Sequence, residues 1–180
     1  TASIILGQES VTKDQRQLAK AVNFGLIYGM GAKTLAEHAR TNFGIDLEEE
    51  EAIDIRSKYF KAYSGIRNWH AVQGNRLESR TVLGRRRELN GDKDYTNRLN
   101  SPVSGTGADG LKLALIKMWD SRHEVDAFPI MAVHDEIVIE APEEKAEEAK
   151  AWLEKCMVEG MEEVVKEVPV TVSVKVSPTY

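Results

Sequence analysis

Apolar residues recur at helical spacing through the first part of the chain, whereas the second part mixes helical patterns with short, strand-like apolar runs. Patterns typical of helices lie at 13–28, 32–39, 47–63, 64–78, 105–125 and 143–167. Patterns typical of strands lie at 80–83, 85–89, 129–133, 137–140 and 168–176, and the polar segment 90–95 is predicted to be a loop. This order predicts an α+β fold, in which a helical half at about 1–80 precedes a half at about 81–180 with a small antiparallel sheet and packed helices.

The helix predicted at 13–28 has the clearest boundary signals. Thr12 is followed three positions later by Gln15, which is the arrangement of a capping box at a helix N-terminus. Gly29 and Gly31 follow the last turn, where glycine readily takes the left-handed backbone angles that end a helix.

The composition is that of a globular protein, with 42% hydrophobic and 29% charged residues. No apolar run approaches the roughly 20 residues that a membrane-spanning helix needs, and the first residues lack the basic flank of a signal peptide, so we expect no membrane partner. The single Cys156 excludes an internal disulfide and a cysteine-based zinc site, and its helical surroundings predict a buried, inert thiol. These features suit a reducing cytoplasm.

The formal net charge of −5 argues mildly against a nucleic-acid partner, but the charges are unevenly distributed. Acidic residues concentrate at 48–51 and 143–148, whereas basic residues concentrate at 80–87 and include Arg85, Arg86 and Arg87. An acidic protein can still present a basic track to phosphate groups, so this run is either a solvated surface or a contact to a nucleic-acid backbone.

One slanted stripe along the predicted helix is formed by four residues spaced by four positions: Arg16, Lys20, Phe24 and Tyr28. We name it the 16–28 stripe. It is roughly 18 Å long at about 1.5 Å per residue, close to the extent of a nucleoside triphosphate. The two cations at the positive end of the helix suit phosphates, and the two rings suit a sugar and a base. A solvated basic face with aromatic rings turned towards a core fits the same spacing, and the residues alone leave both interpretations open.

His134, Asp135 and Glu136 lie between the two strands predicted at 129–133 and 137–140. A tight turn at this place would direct hard oxygen ligands into a cleft, which suits Mg²⁺. A polar turn without a metal is the simpler alternative.

Four segments resemble, in the same order and at matching separations, motifs of family A (polymerase I-like) DNA polymerases. They read RQLAKAVNFGLIYG at 16–29, TVLGRRR at 81–87, NSPVSGTGAD at 100–109 and VHDE at 133–136. The first is similar to the family's fingers helix and the last to a turn of its palm, and the likeness extends over practically the whole chain. The resemblance implies fingers helices at 1–80, with the nucleotide-binding helix at about 13–28, and a C-terminal palm portion at 81–180.

The resemblance also implies template-directed DNA synthesis with two Mg²⁺ ions, deoxynucleoside triphosphates and primer-template DNA. Arg16 would bind the outer phosphates of the incoming nucleotide and Lys20, with a catalytic role, an inner phosphate. Phe24 would pack on the sugar, and Tyr28 would lie beside the templating base.

The resemblance implies that Asp135 binds the metal ions and that Glu136 assists it. Both residues would be catalytic. The implied contacts to DNA come from His134 at the primer terminus, from the arginine run at the duplex or template backbone, and from two minor-groove positions. These DNA-binding residues are His134, Arg85, Arg86, Arg87, Asn100 and Ser104.

The match has departures. Ser104 stands where the family usually has Gln, and Thr96 where it usually has Arg, which weakens the expected minor-groove and primer contacts. The family's other metal-binding aspartate belongs to a D-Y-S-x-x-E motif upstream of the fingers helix, and these 180 residues do not contain it. Asp94 and Tyr95 imitate that motif downstream of the helix but lack its glutamate. We therefore expect a C-terminal portion that is inactive alone and needs an upstream polymerase segment, either covalent or as a separate chain.

Two other interpretations compete with this one. A non-catalytic nucleotide- or DNA-binding module derived from a polymerase is slightly favoured by Ser104 and Thr96. A helical interaction protein with accidental motifs is a poor explanation of so long a match.

Overall fold

The structure is a computed structural model that describes residues 2–6, 10–89 and 94–179. The helices in chain order are α1 (Ala2–Leu6), α2 (Lys13–Ile27), α3 (Ala32–Phe43), α4 (Glu49–Ala62), α5 (Ser64–Gln73), α6 (Tyr95–Asp120) and α7 (Ala146–Glu162). The strands are β1 (Glu78–Arg80), β2 (Arg86–Glu88), β3 (Phe128–Val133) and β4 (Glu136–Glu140), and a short 3-10 helix, Glu143–Lys145, precedes α7. Because helices predominate beside two separate two-stranded sheets, the predicted α+β class is confirmed. Within the described ranges, no helix is both long and apolar enough to cross a membrane.

The first of two compact units comprises Thr1–Ser79 and Arg87–Ser101. Its core lies among α2, α3 and α4, and its completely buried large side chains include Val22, Leu26, Leu35 and Tyr59. Removing an aliphatic or aromatic side chain from water stabilises a fold by about 1.5–3 kcal/mol, so these residues fix which face of each helix points inward.

The second unit comprises Arg80–Arg86 and Pro102–Tyr180. Its core joins α6, α7 and β4, and includes Ala114, Met118, Ile137, Trp152 and Cys156. Gly160 of α7 lies so close to the backbone of Ala114 that a Cβ atom would not fit, which brings α6 and α7 together. Cys156 is buried as predicted, and burial raises the pKa of its thiol, which therefore stays protonated and unreactive.

The helix predicted at 13–28 is confirmed as α2, including its capping box. The Thr12 N–H donates to Gln15 Oε1 at 2.8 Å, and the Gln15 N–H donates to Thr12 Oγ1 at 3.2 Å. Other predicted ends were less accurate. Helix α3 continues past residue 39 to Phe43, and the long helix predicted at 143–167 is confined to Ala146–Glu162 after the 3-10 turn.

Helix α6 begins at Tyr95, well before the predicted start at 105, and it continues through Pro102. A proline has no N–H, so the carbonyl of Arg98, one turn earlier, loses its helical donor. That carbonyl instead accepts hydrogen bonds from Gln73 Nε2 at 3.1 Å and from Ser79 Oγ at 3.2 Å. The helix continues because side chains from elsewhere in the chain replace the missing donor. Most of the loop predicted at 90–95 lies outside the described residues.

The strand predicted at 168–176 is not formed, and this prediction was wrong. The alternation that suggested it persists, since Val170, Val172 and Val174 are partly buried whereas Thr171 and Ser173 are exposed. A strand also needs a backbone partner, and neither sheet of the described structure extends to this segment.

Candidate functional site

Helix α2 presents the 16–28 stripe to solvent. Arg16 and Lys20 are exposed, Phe24 is 63% exposed, and Tyr28 caps the C-terminal end with its ring partly exposed. The opposite face of the helix enters the core of the first unit. Phe24 therefore does not belong to the core that the described residues form, and its ring is accessible.

Two side chains from other helices fix α2 in place. The Tyr59 hydroxyl lies 3.1 Å from Asn23 Oδ1, to which it donates, and His70 Nε2 lies 2.7 Å from the carbonyl oxygen of Ile27. Burial, together with the neighbouring Tyr63, raises the pKa of Tyr59 to about 12, so its hydroxyl remains a donor at neutral pH. These contacts join residues far apart in the chain. An apolar pattern marks Tyr59 as a core residue, but nothing marks His70, which is 43 positions from Ile27.

Gly29 ends α2 in the left-handed conformation that the sequence predicted, with φ of 86°. An added Cβ would clash with the ring of Tyr95 and lie 2.9 Å from Leu99 Cδ1. This glycine therefore serves both the backbone turn and the close approach of Tyr95. Gly31 has an ordinary φ of −76°.

His134 and Asp135 form a two-residue turn between β3 and β4, where Val133 pairs with Glu136. His134 has φ of 57°, a region in which a side chain costs roughly 1–2 kcal/mol. Such a strained residue persists only where the surrounding structure enforces its conformation, and strained residues cluster at functional sites. All three side chains of the 134–136 segment are exposed.

The exposed carboxylates of Asp135 and Glu136 match the oxygen donors that Mg²⁺ prefers. Among the residues that the structure describes, no three His, Cys, Asp or Glu side chains cluster as a complete metal site would require. The turn therefore offers two carboxylates at most, and a metal site at this place would need further ligands.

Arg85 binds to α6 within the second unit. Its Nε donates to Asp109 Oδ1 at 2.7 Å, and its Nη2 donates to the Gly105 carbonyl at 2.9 Å. Burial acts to raise the pKa of Asp109, but hydrogen bonds from Thr81 and Arg85 and the charge of Arg85 outweigh burial and lower it. Arg85 thus anchors the hairpin turn, and its contact to DNA stays a prediction. The sequence gives no sign of this role of Asp109, although the residue ends the matched segment at 100–109.

The other predicted DNA contacts lie at accessible positions. Arg86 and Arg87 are exposed on β2, and Arg87 Nη1 donates to Ser101 Oγ at 3.0 Å. Asn100 and Ser104 lie one turn apart on α6, the first partly exposed and the second exposed.

Asp94 precedes α6 and accepts a hydrogen bond from Asn97 Nδ2 at 2.9 Å. This carboxylate is therefore engaged by a neighbouring side chain at the start of α6.

The predicted site residues are divided between the two units. The first unit contains the 16–28 stripe, Arg87 and Asn100, and the second contains Arg85, Arg86, Ser104, His134, Asp135 and Glu136.

A known family matches this chain over its whole length, and individual relatives match most of it. DNA polymerase family A matches residues 1–180. The chain is 43% identical over 183 aligned positions to DNA polymerase I of Aquifex aeolicus, which covers 96% of the chain and 31% of that protein. It is 35% identical over 172 positions to the thermostable DNA polymerase I of Thermus filiformis, which covers 87% of the chain and 20% of that protein.

A solved structure is also similar, the POL domain of Pol1 from M. smegmatis in complex with DNA primer-template and dNTP. The TM-score is 0.77 at 27% identity, over 88% of this chain and 30% of that one. The chain thus spans 20% to 31% of the length of these relatives.

Proposed function

The chain belongs to DNA polymerase family A, and we propose that it supplies the nucleotide-binding helix and a metal-binding turn to template-directed DNA synthesis. In that reaction the primer 3′-hydroxyl oxygen attacks the α-phosphorus of a deoxynucleoside triphosphate, a new P–O bond forms, and diphosphate leaves. The observation that carries the proposal is the solvent-exposed 16–28 stripe, on a helix fixed from its other side by Tyr59 and His70.

The charge order along α2 supports the orientation of the nucleotide. Arg16 and Lys20 lie towards the N-terminal end, where the helix dipole also attracts phosphates. Lys20 would act next to the reacting phosphorus, where a cation stabilises the charge that develops in the transition state. Phe24 would pack on the sugar, and Tyr28 would lie against the templating base.

The 134–136 turn would serve the chemical step. Asp135, assisted by Glu136, would bind Mg²⁺ together with carboxylates from outside the described residues. Two Mg²⁺ ions, when bound, activate the primer hydroxyl and stabilise the leaving oxygen. His134, in its strained conformation, would contact the primer terminus.

The remaining predicted contacts would position DNA without reading its sequence. Arg86 and Arg87 would bind backbone phosphates. The guanidinium N–H groups of Arg85 that are not bonded to Asp109 or Gly105 would also contribute. Asn100 and Ser104 would face the minor groove, where correct base pairs present nearly the same acceptors.

We further propose that the chain acts only with an upstream polymerase segment, because the described residues contain no complete cluster of metal donors. Ser104 and Thr96, which replace the family's usual Gln and Arg, favour a second candidate function, a non-catalytic nucleotide- or DNA-binding module derived from a polymerase.

Primer extension separates the two candidates. The purified chain is assayed alone and together with an upstream polymerase segment, at matched Mg²⁺, while nucleotide binding is followed in parallel. We expect extension only in the combined sample. Nucleotide or DNA binding without extension in either sample would favour the module, and robust extension by the chain alone would refute its dependence on an upstream segment.

A further inference from the structure

A turn at residues 81–85, which we name the 81–85 turn, is bound to α6 within the second unit. Its anchor is Arg85, whose guanidinium reaches two acceptors on the helix. Nε donates to Asp109 Oδ1 at 2.7 Å, and Nη2 donates to the Gly105 carbonyl at 2.9 Å. The planar guanidinium directs its N–H groups in fixed directions, which an ammonium group cannot reproduce. The contact therefore depends on the shape of the guanidinium as well as on its charge.

A second contact between the turn and the helix lies beside the first. The N–H of Val82 donates to Thr106 Oγ1 at 3.1 Å. The same hydroxyl donates to the Pro102 carbonyl, one turn earlier in α6, at 2.6 Å. Thr106 is buried, so its hydroxyl depends on these partners. One side chain thus couples the backbone of the turn to the backbone of α6.

The 81–85 turn packs so closely on α6 that no side chain fits at Gly105. An added Cβ would lie 2.7 Å from Thr81 Cγ2 and 3.4 Å from Arg85 Nη2. Only glycine permits this approach of the turn, and with it the bond from Arg85 to the Gly105 carbonyl.

Ser104 lies between the two points at which the turn holds α6. The Pro102 carbonyl, two positions before it, accepts from Thr106, and the Gly105 carbonyl, directly after it, accepts from Arg85. The side chain of Ser104 is exposed. Arg85 and Thr106 therefore fix the helical backbone that carries an accessible side chain.

Asp109 holds Arg85 from a buried position. Its side chain is only 6% exposed, whereas that of Arg85 is 49% exposed. A carboxylate also repels phosphates, so Asp109 is unsuited to contact a nucleic acid directly. Any contribution of Asp109 to DNA binding acts through the residues that it holds.

We propose that Arg85, held by Asp109, is a positioning residue that sets the orientation of Ser104 towards the minor groove of primer-template DNA. Its effect on DNA binding comes chiefly from the geometry of its two bonded N–H groups and not from its charge. That Ser104 contacts the minor groove rests on the proposed function. The coupling of Ser104 to Arg85 rests on the contacts within the second unit.

Arg85→Lys tests the proposal, because it keeps the positive charge and removes the planar fork. Fluorescence anisotropy with a labelled primer-template measures the DNA affinity of the 180-residue chain combined with an upstream polymerase segment, at several salt concentrations. We expect binding to weaken about tenfold, since a hydrogen-bonded charge pair is lost. The slope of log affinity against log salt should stay unchanged, because no cation is removed.

Arg40→Lys is the matched control. Arg40 also pairs with a carboxylate, that of Asp46, but both side chains are exposed and lie in the first unit. This variant should bind DNA as the wild type does. Circular dichroism verifies that each variant is folded, and Asp109→Asn, which leaves Arg85 in place, replaces Arg85→Lys in the same experiments if that variant does not fold.

A double-mutant cycle with Ser104→Ala separates positioning from a general effect on the fold. If Arg85 acts through Ser104, the loss of affinity in the double variant should be smaller than the product of the two single losses by at least about threefold. Arg40→Lys combined with Ser104→Ala should give the simple product, because the two sites share no partner.

Each result bears on the proposal. Wild-type affinity of folded Arg85→Lys would overturn it, because charge alone would then suffice. Single losses that multiply in the Arg85→Lys/Ser104→Ala protein would also overturn it, because Arg85 would then act independently of Ser104. Coupled losses of affinity without any primer extension in the assembled polymerase would refute the proposed function but support the positioning role. Primer extension with uncoupled variants would have the opposite meaning.

Discussion

The guanidinium of Arg85 and the carboxylate of Asp109 form an ion pair of 2.7 Å in which the Asp109 side chain is only 6% exposed, whereas that of Arg85 is 49% exposed. The two residues are 24 positions apart, and their bond joins the turn of the β1–β2 hairpin to α6. The start of the arginine run is therefore a structural anchor.

Asp109→Asn should destabilise the protein, because the buried group loses its charge-assisted bond to Arg85. We expect a loss of about 1–3 kcal/mol in the free energy of unfolding, towards the lower end because water screens the exposed side of Arg85. Urea denaturation at neutral pH measures it. Asp46→Asn, which breaks an exposed pair with Arg40, is the matched control and should change stability by less than about 1 kcal/mol.

The lowered pKa of Asp109 sets the sign of a pH effect. A carboxyl group with a depressed pKa in the folded state stabilises the fold fully above its unfolded pKa, near pH 4, and this contribution is lost as the pH falls through the folded pKa. The stability difference between wild type and Asp109→Asn should therefore shrink below about pH 4. A stability difference between the two proteins that stays constant down to pH 2 would contradict the role of the ionised Asp109 carboxylate in stability.

Asp135→Ala should reduce primer extension by several orders of magnitude in the assembled polymerase, because the proposed metal site loses a ligand. DNA affinity should remain largely intact. The control is Asp126→Ala, which removes an exposed carboxylate just before β3. Near-normal turnover of Asp135→Ala would exclude the metal-ligand role.

Lys20→Ala should lower the rate of the chemical step by about 10²–10³-fold, since a cation beside the reacting phosphorus matters most in the transition state. Arg16→Ala should also raise the nucleotide concentration at half-maximal rate. Single-turnover kinetics distinguish these effects, with Arg40→Ala on α3 as the control. If both variants keep the wild-type rate of the chemical step and the wild-type nucleotide concentration at half-maximal rate, the 16–28 stripe is not a nucleotide site.

Phe24→Tyr should relax discrimination against dideoxynucleotides by about tenfold or more. A tyrosine hydroxyl could fill the space of the missing sugar 3′-hydroxyl, whereas phenylalanine cannot. Because Phe24 is 63% exposed, the added hydroxyl should leave stability unchanged. Competition between deoxynucleotides and dideoxynucleotides measures the effect. Equal use of both by the wild type would show that Phe24 does not confer discrimination.

His134→Gly should be more stable than His134→Ala by about 1–2 kcal/mol, because only glycine takes the left-handed conformation of this turn without strain. Both variants should extend primers poorly, since neither retains the imidazole. Thermal unfolding of the two proteins gives the comparison. Equal stabilities would show that the turn relaxes when the histidine is removed.

Several features could be predicted because neighbouring residues determine them. The capping box at Thr12 and the left-handed Gly29 depend on interactions within a few positions. The 16–28 stripe follows from helical spacing alone. The exposure of the stripe does not follow from spacing. A phenylalanine such as Phe24 can face either a core or a ligand, and only the packing of α2 shows that its ring is exposed.

Other features depend on residues far apart in the chain. Where α6 continues through Pro102, Gln73 and Ser79 satisfy the carbonyl of Arg98 that the proline leaves without its helical donor. The contact of His70 with the carbonyl of Ile27, near the C-terminal end of α2, spans 43 positions.

In the segment 168–176, a predicted element did not form. Its alternation is a local property that the sequence determines, but a β-ladder requires a partner strand, which alternation cannot supply. The sequence by itself thus determined the helices, the turns and the chemistry available at each position. Which side chains are exposed, paired or strained was decided by tertiary packing, because those states depend on hydrogen-bond and packing partners that local patterns do not encode.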